Sequence, residues 1–464
     1  MKSPVIHTPV RRRGIVSVLA MLYLMLFTVL AIGFYSASTM AVQVSKNDRS
    51  IEQSQLACES GLQFVRYQMG YMNLDPATTD ANLLGAVATA LASQLNGTSN
   101  MGGNSVAVNN GLIYLPSQAG FITLDPNTGT KFRAQIWTSG PFVWTKVTGY
   151  GSNASIGRAV QIQFQKASHA STIFNYGVAS KSAINMAGNV TIKGATDPTK
   201  GSVLSATSGS NPLTMTGSPK ISGDFSFSNA SGTNSFANGS IAGYKSNSPN
   251  FAQHIHSGVT PPLFPYIDTS SYLAYTQNTY SGSGSTLVNT IIPPNTNPNF
   301  AGGTTIQGVL YIKAPNHVTF SGNTTITGAI VVENNPSGSL STNTISFSGN
   351  VTAQPMSSLP NNSNFPAGEK ALTGAFLLAP NFGVTFTGNF GTIGGSIIAS
   401  QFTYSGNAGG VVQGTVINLN DSAMSMAGNS DIIIASTGTT NYPAGVSFGN
   451  KFAPLPGTYE EVAP

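Results

Sequence analysis

The segment Arg11-Arg12-Arg13-Gly14, followed by the apolar run IVSVLAMLYLMLFTVLAIGF at Ile15–Phe34, decides how this chain is organised. The run contains no charged residue and no proline. Its twenty residues would rise about 30 Å as an α-helix, which is the thickness of the hydrocarbon core of a bilayer. The next charge is Lys46, so the uncharged span is longer than a secretory signal needs, and it lacks the small-residue cleavage site that would end one. The sequence therefore predicts a retained membrane anchor.

The basic residues before this run predict its orientation. Arg11, Arg12 and Arg13, with Lys2 further upstream, would hold the N-terminal end in the cytoplasm by the positive-inside rule. Lys46 and everything after it would then lie outside the cytoplasm. We therefore expect a single-pass protein of the inner (cytoplasmic) membrane, with its C-terminal domains in the periplasm or outside the cell.

Motifs on both sides of the apolar run resemble one protein family. Basic residues, then Gly14, then a bulky apolar residue resemble the leader of type IV pilins, which a prepilin peptidase cuts after the glycine. Further on, NDR at residues 47–49 and QLACESGL at residues 55–62 are similar to the N-x-R-D and A-x-x-A-E-A-G-L pattern of the PilX-type pilus assembly family. The resemblance covers roughly residues 11–70. It implies cleavage between Gly14 and Ile15, and other pilins or pseudopilins as partners. A plain signal anchor is the alternative.

One position departs from the major pilins of this family. Counted from Ile15, their fifth mature residue is a glutamate that can neutralise the N-terminal amine of a neighbouring subunit, whereas this chain has Leu19. An unpaired ammonium buried among helices costs several kcal/mol. The resemblance implies that tip-capping pseudopilins also lack the glutamate. Together with the bulk of roughly 290 C-terminal residues, this predicts a low-copy subunit at a filament tip or at its assembly base.

The composition predicts a β-rich surface protein. Of 464 residues, 8% are charged, compared with about 25% in ordinary soluble proteins, while 40% are hydrophobic and 51 are glycine. That apolar share is too high for a disordered chain. Apart from the arginine cluster the basic residues are scattered singly, so the net charge of +5 does not indicate nucleic-acid binding. The single cysteine, Cys58, excludes an internal disulfide.

Periodicity divides the first 170 residues into a leader, a long helix and an α+β domain. Residues 1–14 form the basic leader. Residues 15–73 form the transmembrane and extended helix, and residues 74–170 a pilin-like domain with an antiparallel sheet. The helix is expected to bury a stripe of Ile51, Leu56, Leu62, Val65 and Met69. A second helix is expected at Thr79–Leu95, followed by strands at Ser105–Val108, Leu112–Leu115, Phe121–Leu124, Lys131–Trp137, Phe142–Thr148 and Arg158–Phe164.

From about Ser171 the sequence repeats an apolar or aromatic residue, a small residue, Gly and Asn. The asparagines are Asn189, Asn323, Asn350, Asn389, Asn407 and Asn429. Each Gly-Asn pair predicts a corner because both residues tolerate positive φ, as we expect for Gly388. Residues 171–453 are thus predicted to form a right-handed β-helix, or β-solenoid, with rungs about 4.8 Å apart and with Asn389, Asn407 and Asn429 at equivalent corners. A β-sandwich is the alternative.

Some stretches of this region do not follow the repeat. Residues 248–303 are rich in proline and tyrosine, and are expected either to pack along the solenoid or to link two portions of it. The uneven spacing of the asparagines predicts further loops, such as Gln354–Lys370, that project from the coils. Residues 454–464 are expected to form a frayed tail.

Two patterns are typical of catalytic or metal sites, and each has a commoner structural explanation. Ser447 lies in a G-x-S-x-G sequence, but that nucleophile elbow needs a later histidine and the last histidine is His317. His254 and His256 would face one side of a strand, but the closest acid downstream is Asp268. We therefore expect a chance match at the serine and a polar loop at the histidines.

The acidic residues give no stronger indication of chemistry. Asp125, Asn127 and Gly129 resemble the start of a calcium loop, but the glutamate that completes one is missing, and the spacing equally fits a hairpin turn. The acids after residue 171 are few and are spread at about one per predicted coil or fewer, which argues against a paired-carboxylate site. We expect no catalytic residue, metal or cofactor.

The leading hypothesis is a non-enzymatic minor pilin or pseudopilin-like subunit of a type IV pilus or type II secretion-like system. Its β-solenoid head would make structural or adhesive contacts, with surface glycans as further partners. The first alternative is a membrane-anchored adhesin or glycan-binding protein outside any filament. The second is a carbohydrate-active enzyme built on a β-helix.

Overall fold

The computed structural model describes residues 13–153, 155–335, 338–436 and 442–464. It confirms the coarse features of the expected fold class, which are a long apolar N-terminal helix and, after it, a mostly β chain with large sheets. The chain divides into two units. The first unit is Met1–Ala167 with Asn450–Pro464, and the second unit is Ser168–Gly449.

The helices and strands have the following bounds. The helices are α1 (Arg13–Tyr71), α2 (Asp80–Leu95), α3 (Ser270–Leu273) and α4 (Ala367–Lys370). The strands before the repeat are β1 (Ala107–Asn109), β2 (Leu112–Leu115), β3 (Ile122–Asp125), β4 (Thr130–Ser139), β5 (Phe142–Tyr150) and β6 (Gly157–Ser168). The next are β7 (Val178–Ser180), β8 (Ile184–Gly188), β9 (Thr191–Gly194), β10 (Val203–Ser205), β11 (Leu213–Gly217), β12 (Lys220–Ile221), β13 (Phe225–Phe227), β14 (Ser240–Ile241), β15 (Tyr244–Lys245), β16 (Ile255–Ser257), β17 (Tyr266–Ile267) and β18 (Asn278–Thr279).

The later strands are longer and more regular. They are β19 (Thr286–Ile292), β20 (Asn299–Phe300), β21 (Thr304–Ile312), β22 (Asn316–Phe320), β23 (Thr324–Val332), β24 (Asn343–Phe347), β25 (Val351–Gln354), β26 (Ala375–Phe386), β27 (Asn389–Ile393), β28 (Ser396–Tyr404), β29 (Gly409–Val412), β30 (Val416–Asn418), β31 (Met424–Gly428), β32 (Asp431–Ile434), β33 (Val446–Ser447), β34 (Asn450–Pro454) and β35 (Glu460–Val462). The second helix and the six strands expected in the first unit all appear, with no end shifted by more than four residues.

The helix α1 is continuous over 59 residues. Its part at Ile15–Phe34 is exposed although it is apolar. Within the described residues α1 is the one helix that is long and apolar enough to cross a bilayer. An exposed apolar surface of this size is unfavourable in water. The structure therefore agrees with a single membrane-crossing helix at this end of the chain.

The C-terminal half of α1 packs on an antiparallel sheet of order β1-β2-β4-β5-β6, to which β3, β34 and β35 add. Small residues allow the helix to come close. A Cβ on Gly149 would lie 2.3 Å from the backbone nitrogen of Cys58, and one on Gly61 would lie 2.5 Å from the Phe132 ring. The Cys58 thiol donates to the Val147 carbonyl at 3.0 Å, and burial raises its pKa to about 11. The ACESG part of the family-like motif thus supplies small residues to a helix–sheet contact.

Two features of the first unit differ from expectation. Leu56 is 67% exposed because α1 turns Leu62, Val65 and Met69 towards the sheet and leaves Leu56 on the opposite side. The C-terminal residues do not fray. They form β34 and β35, which pair with β6, and so they satisfy the backbone groups along the edge of that strand.

Parallel ladders make up the second unit. Among the described strands, antiparallel pairs here are limited to β14–β15 and β17–β33. Three ladders share one order of rungs. Ladder A stacks β18, β19, β21, β23, β26, β28, β30, β7, β10, β13 and β16. Ladder B stacks β20, β22, β24, β26, β28, β31, β8 and β11. Ladder C stacks β19, β21, β23, β25, β27, β29, β32, β9, β12 and β14.

The order of the rungs is not the order of the chain. Val178 in β7 pairs with Val203 on one side and with Val416 on the other, so the earliest strand lies in the middle of ladder A. From β7 the chain advances to β16 at one end. Residues 258–277 then connect it to β18 at the opposite end, and the chain advances again until β30 meets β7. The proline- and tyrosine-rich segment therefore contains the connection between two portions of one stack.

The outward side of ladder A is apolar and covered. Val331 and Ile398 point outward from it, and Ile267 and Tyr272 of the connecting segment pack on the same cluster. The loop after β25 packs there too, with Phe365 buried, although we expected it to project. Apolar outward side chains explain both contacts, because they would otherwise face water.

This loop also buries a carboxylate. Glu369 is fully buried, and its Oε2 accepts a hydrogen bond from Asn289 Nδ2 at 3.1 Å. Its Oε1 has no hydrogen-bond partner among the described residues. Burial raises the pKa of Glu369, and the bond from Asn289 opposes part of that rise.

The first residue of each repeat forms the centre of the core. Paired positions of ladder B carry Phe320, Phe347, Phe386 and Tyr404, whose neighbouring ring centroids lie 4.8, 4.8 and 5.1 Å apart. The column continues through Met426, Met186 and Met215. All of these side chains are buried. The sequence repeat therefore arises because its first residue occupies the same inward-facing position on successive strands.

Candidate functional site

Ladder B carries an outward column of small polar side chains, which we call the hydroxyl column. Burial alternates along each strand, so that Val318 and Phe320 of β22 are buried while Thr319 between them faces out. In rung order the column contains Asn299, Thr319, Ser346, Thr385, Thr403 and Ser425, followed by Asn185, Thr214 and Ser235. Each of these side chains can both donate and accept a hydrogen bond.

Most hydroxyls of the column are not used for hydrogen bonds inside the described chain. Within the described chain, no hydrogen bond occupies the hydroxyl of Thr319, Ser346, Thr385, Thr403 or Ser425. The strands of ladder B contain no Asp, Glu, Lys or Arg, and His317 is the titratable side chain on their outward face. This face therefore offers hydrogen bonds without charge. Sequence reasoning missed it, although a polar residue directly before each repeat was a visible signal.

The repeat asparagines form two separate hydrogen-bonded runs in the turns that follow the ladder B strands. Asn189 Nδ2 donates to Asn429 Oδ1 at 3.1 Å, and Asn429 Nδ2 donates to Asn407 Oδ1 at 3.3 Å. Asn350 Nδ2 donates to Asn323 Oδ1 at 3.3 Å.

Asn389 does not occupy the corner that we expected. The turn between Phe386 and ladder C is two residues shorter than the turn after Tyr404, with which Phe386 pairs. Asn389 therefore pairs with Gly409 in ladder C, and Gly409 in turn pairs with Asp431. Nor does Gly388 have a positive φ. A glycine is needed there for another reason, because a Cβ would lie 2.4 Å from the carbonyl oxygen of Gly349.

The two histidines have an acidic partner that sequence reasoning missed. Asp224 Oδ1 lies 2.7 Å from His254 Nδ1, and Asp224 Oδ2 lies 3.0 Å from His256 Nε2. The parallel pairing of β13 with β16 brings Asp224 beside residues 30 positions later. Partial burial opposes ionisation of Asp224, but the hydrogen bonds from His256 and His254 outweigh it and lower its pKa. The cluster joins the last two rungs of ladder A.

The remaining candidates for chemistry are structural. Ser447 lies in β33, paired with Tyr266, and has no hydrogen bond to a histidine within the described chain. Both carboxylate oxygens of Asp125 accept hydrogen bonds inside the β3–β4 turn, from Asn127 and Thr128. Across the described ranges, no group of three or more His, Cys, Asp or Glu residues is placed to hold a metal ion.

The expected leader-processing residues lie at the edge of the described chain. The backbone of Arg13 and Gly14 belongs to the first turn of α1, and Ile15 follows in the same helix. Arg11 and Arg12 lie outside the described residues.

Comparison with known proteins gives little beyond this geometry. No protein-family model matches the sequence. No curated protein matches it either. Among solved structures, the chain is similar to the competence-associated pilin ComZ from Thermus thermophilus, with 13% identity over 89% of this chain and 97% of that chain and a TM-score of 0.24. A likeness at this level assigns neither fold nor function, so the PilX-type resemblance depends on its motifs alone.

Proposed function

We propose that the chain is a non-enzymatic, PilX-like minor pilin or pseudopilin-type subunit of a type IV pilus or type II secretion-like system. The observation that carries the proposal is α1. It is one helix of 59 residues whose apolar first part is exposed and whose second part packs on an antiparallel sheet. Such a helix suits both a membrane and the helical core of a filament. The motifs within residues 11–70 support the same function.

In this proposal a prepilin peptidase cleaves between Gly14 and Ile15, and the N-terminus is cytoplasmic. The units after the membrane helix lie in the periplasm or outside the cell. Leu56, Tyr67 and Tyr71 support contact with other pilins, because these large side chains remain exposed on α1 beyond the apolar run.

The second unit acts as the head, and we propose that its three ladders are the faces of a right-handed β-solenoid. The parallel pairing and the shared order of rungs support this architecture. A β-sandwich, the alternative, is built mainly from antiparallel pairs whose two sheets meet through side chains. Stacked coils also account for the inward column of aromatic rings.

The subunit should be present at low copy number. Because Leu19 cannot pair with the amine of a neighbouring Ile15, a shaft built from this chain would bury unpaired ammonium groups. Quantitative mass spectrometry of sheared filaments should find a small fraction of the main pilin. Leu19→Glu is the matched variant, and it should raise incorporation because it restores the carboxylate. Copy numbers equal to the main pilin in the unmodified chain would contradict this prediction.

A membrane-anchored adhesin outside any filament is the second candidate. The uncovered hydroxyl column favours it, since an adhesive face needs no filament to bind its target. Complete absence of the chain from sheared filaments, with the protein retained in the membrane, would support this function over the pilin-like one.

A further inference from the structure

The hydroxyl column has the geometry of a site for an extended ligand. At about 4.8 Å per rung, its nine positions extend over about 38 Å along one face. In four consecutive rungs a second small hydroxyl follows two residues later, as in Thr319 with Ser321 and Thr385 with Thr387. Small side chains at regular spacing make a flat surface with repeated donors and acceptors.

The contrast between the outward faces indicates that this one is left open. The outward side of ladder A is apolar, and the connecting segment and the loop after β25 cover it. In the hydroxyl column, by contrast, Thr319, Thr385 and Thr403 are partly exposed, and their hydroxyls make no hydrogen bond within the described chain. The covering segments therefore lie on the apolar face, whose exposure to water would be unfavourable, and the polar face stays exposed.

The chemistry of the face selects an uncharged partner. Nucleic acids and acidic polysaccharides are held mainly by Lys and Arg, and the strands of ladder B contain neither. Apolar partners need exposed apolar surface, but the aromatic residues of these strands, such as Phe347 and Phe386, are buried. Hydroxyl and amide side chains complement a partner that itself carries many hydroxyl groups. A linear neutral polysaccharide has this chemistry and repeats along its length.

We propose that the hydroxyl column binds an extended, neutral polysaccharide. The proposal deepens the proposed function, because it names the contact made by the head, and it requires only that the head face the outside of the cell. Each rung would exchange hydrogen bonds with successive sugar hydroxyls. Binding would be weak per rung and would grow with the length of the polymer, as expected for repeated sites along one chain.

The test uses the full chain, purified in detergent, and its retention on insoluble cellulose, chitin and mannan, with alginate beads as an acidic comparison. The binding variant combines Thr319→Val, Thr385→Val and Thr403→Val, which removes hydroxyls but keeps shape and strand preference. The matched control combines Thr305→Val, Thr325→Val and Thr352→Val, which makes the same change on the outward side of ladder C. We expect retention on at least one neutral polysaccharide, reduced by about tenfold or more in the binding variant and unchanged in the control.

Three results would overturn the inference. They are no retention of the unmodified chain on any neutral polysaccharide, equal retention of both triple variants, and stronger retention on alginate than on neutral polymers. Self-association that the binding variant abolishes, without polysaccharide binding, would assign the face to a second copy instead. The assay needs neither filaments nor leader cleavage. Its failure is therefore distinguishable from failure of the pilin-like proposal, which filament composition and the N-terminus test.

Discussion

Gly328→Val is expected to prevent stable folding of the second unit. Gly328 has a φ of +143°, a conformation that side chains with a Cβ rarely adopt, and it pairs with Gly308 on the neighbouring rung. A Cβ at Gly328 would lie 1.9 Å from the Gly308 carbonyl oxygen. Because the two rungs are held at sheet spacing along their whole length, neither backbone can move away. Backbone strain and overpacking together should lower the free energy of unfolding by roughly 3 kcal/mol or more.

Gly383→Ala is the matched control. Gly383 lies in β26 of the same unit, its φ is not positive, and the nearest atom to an added Cβ is 3.9 Å away. Limited proteolysis and thermal unfolding of the full chain should show early loss of the second unit in Gly328→Val and little change in Gly383→Ala. Equal midpoints for the two variants would contradict the close contact between rungs.

Phe347→Ala is expected to have the second large effect. Its ring is 1% exposed and lies between those of Phe320 and Phe386, with centroids 4.8 Å away on either side. Removing it leaves a cavity in the middle of the stack that the regular rungs cannot close. Truncation of a buried phenylalanine costs about 3–5 kcal/mol. Thermal unfolding should show that the free energy of unfolding falls by this amount.

Two further variants separate packing from chemistry at this position. Phe347→Leu should cost less because it fills part of the space. Ser346→Ala, one residue away on the outward side, should change stability by about 0.5 kcal/mol or less, since this side chain has no hydrogen bond within the described chain. A Phe347→Ala chain as stable as Ser346→Ala would show that the aromatic column does not hold the rungs together.

Local patterns in the sequence predicted the elements of the first unit well. Helical and alternating periodicity placed α1, α2 and β1–β6, because each is formed by side chains close in sequence. Leu56 was misplaced because the direction of the buried stripe on α1 depends on where the sheet lies. Small residues such as Gly61 decide that position.

The arrangement of the second unit depended on distant contacts. No local sequence pattern indicates that Val178 pairs with Val416, 238 residues later. Nor does one indicate that β7, the earliest strand of the stack, lies in the middle of ladder A. Asp224 and His256 became neighbours for the same reason, through the register of parallel strands. The hydroxyl column is spread over nine rungs. It becomes a surface only when the register between rungs is known.

Mass spectrometry of the N-terminus tests the central claim most directly. The chain should be purified from membranes of cells that contain a prepilin peptidase, and in parallel from cells without the enzyme. The pilin-like account predicts a mature chain that begins at Ile15 in the first preparation and an uncut leader in the second. An intact leader in both preparations, or cleavage between Ser36 and Ala41, would contradict it.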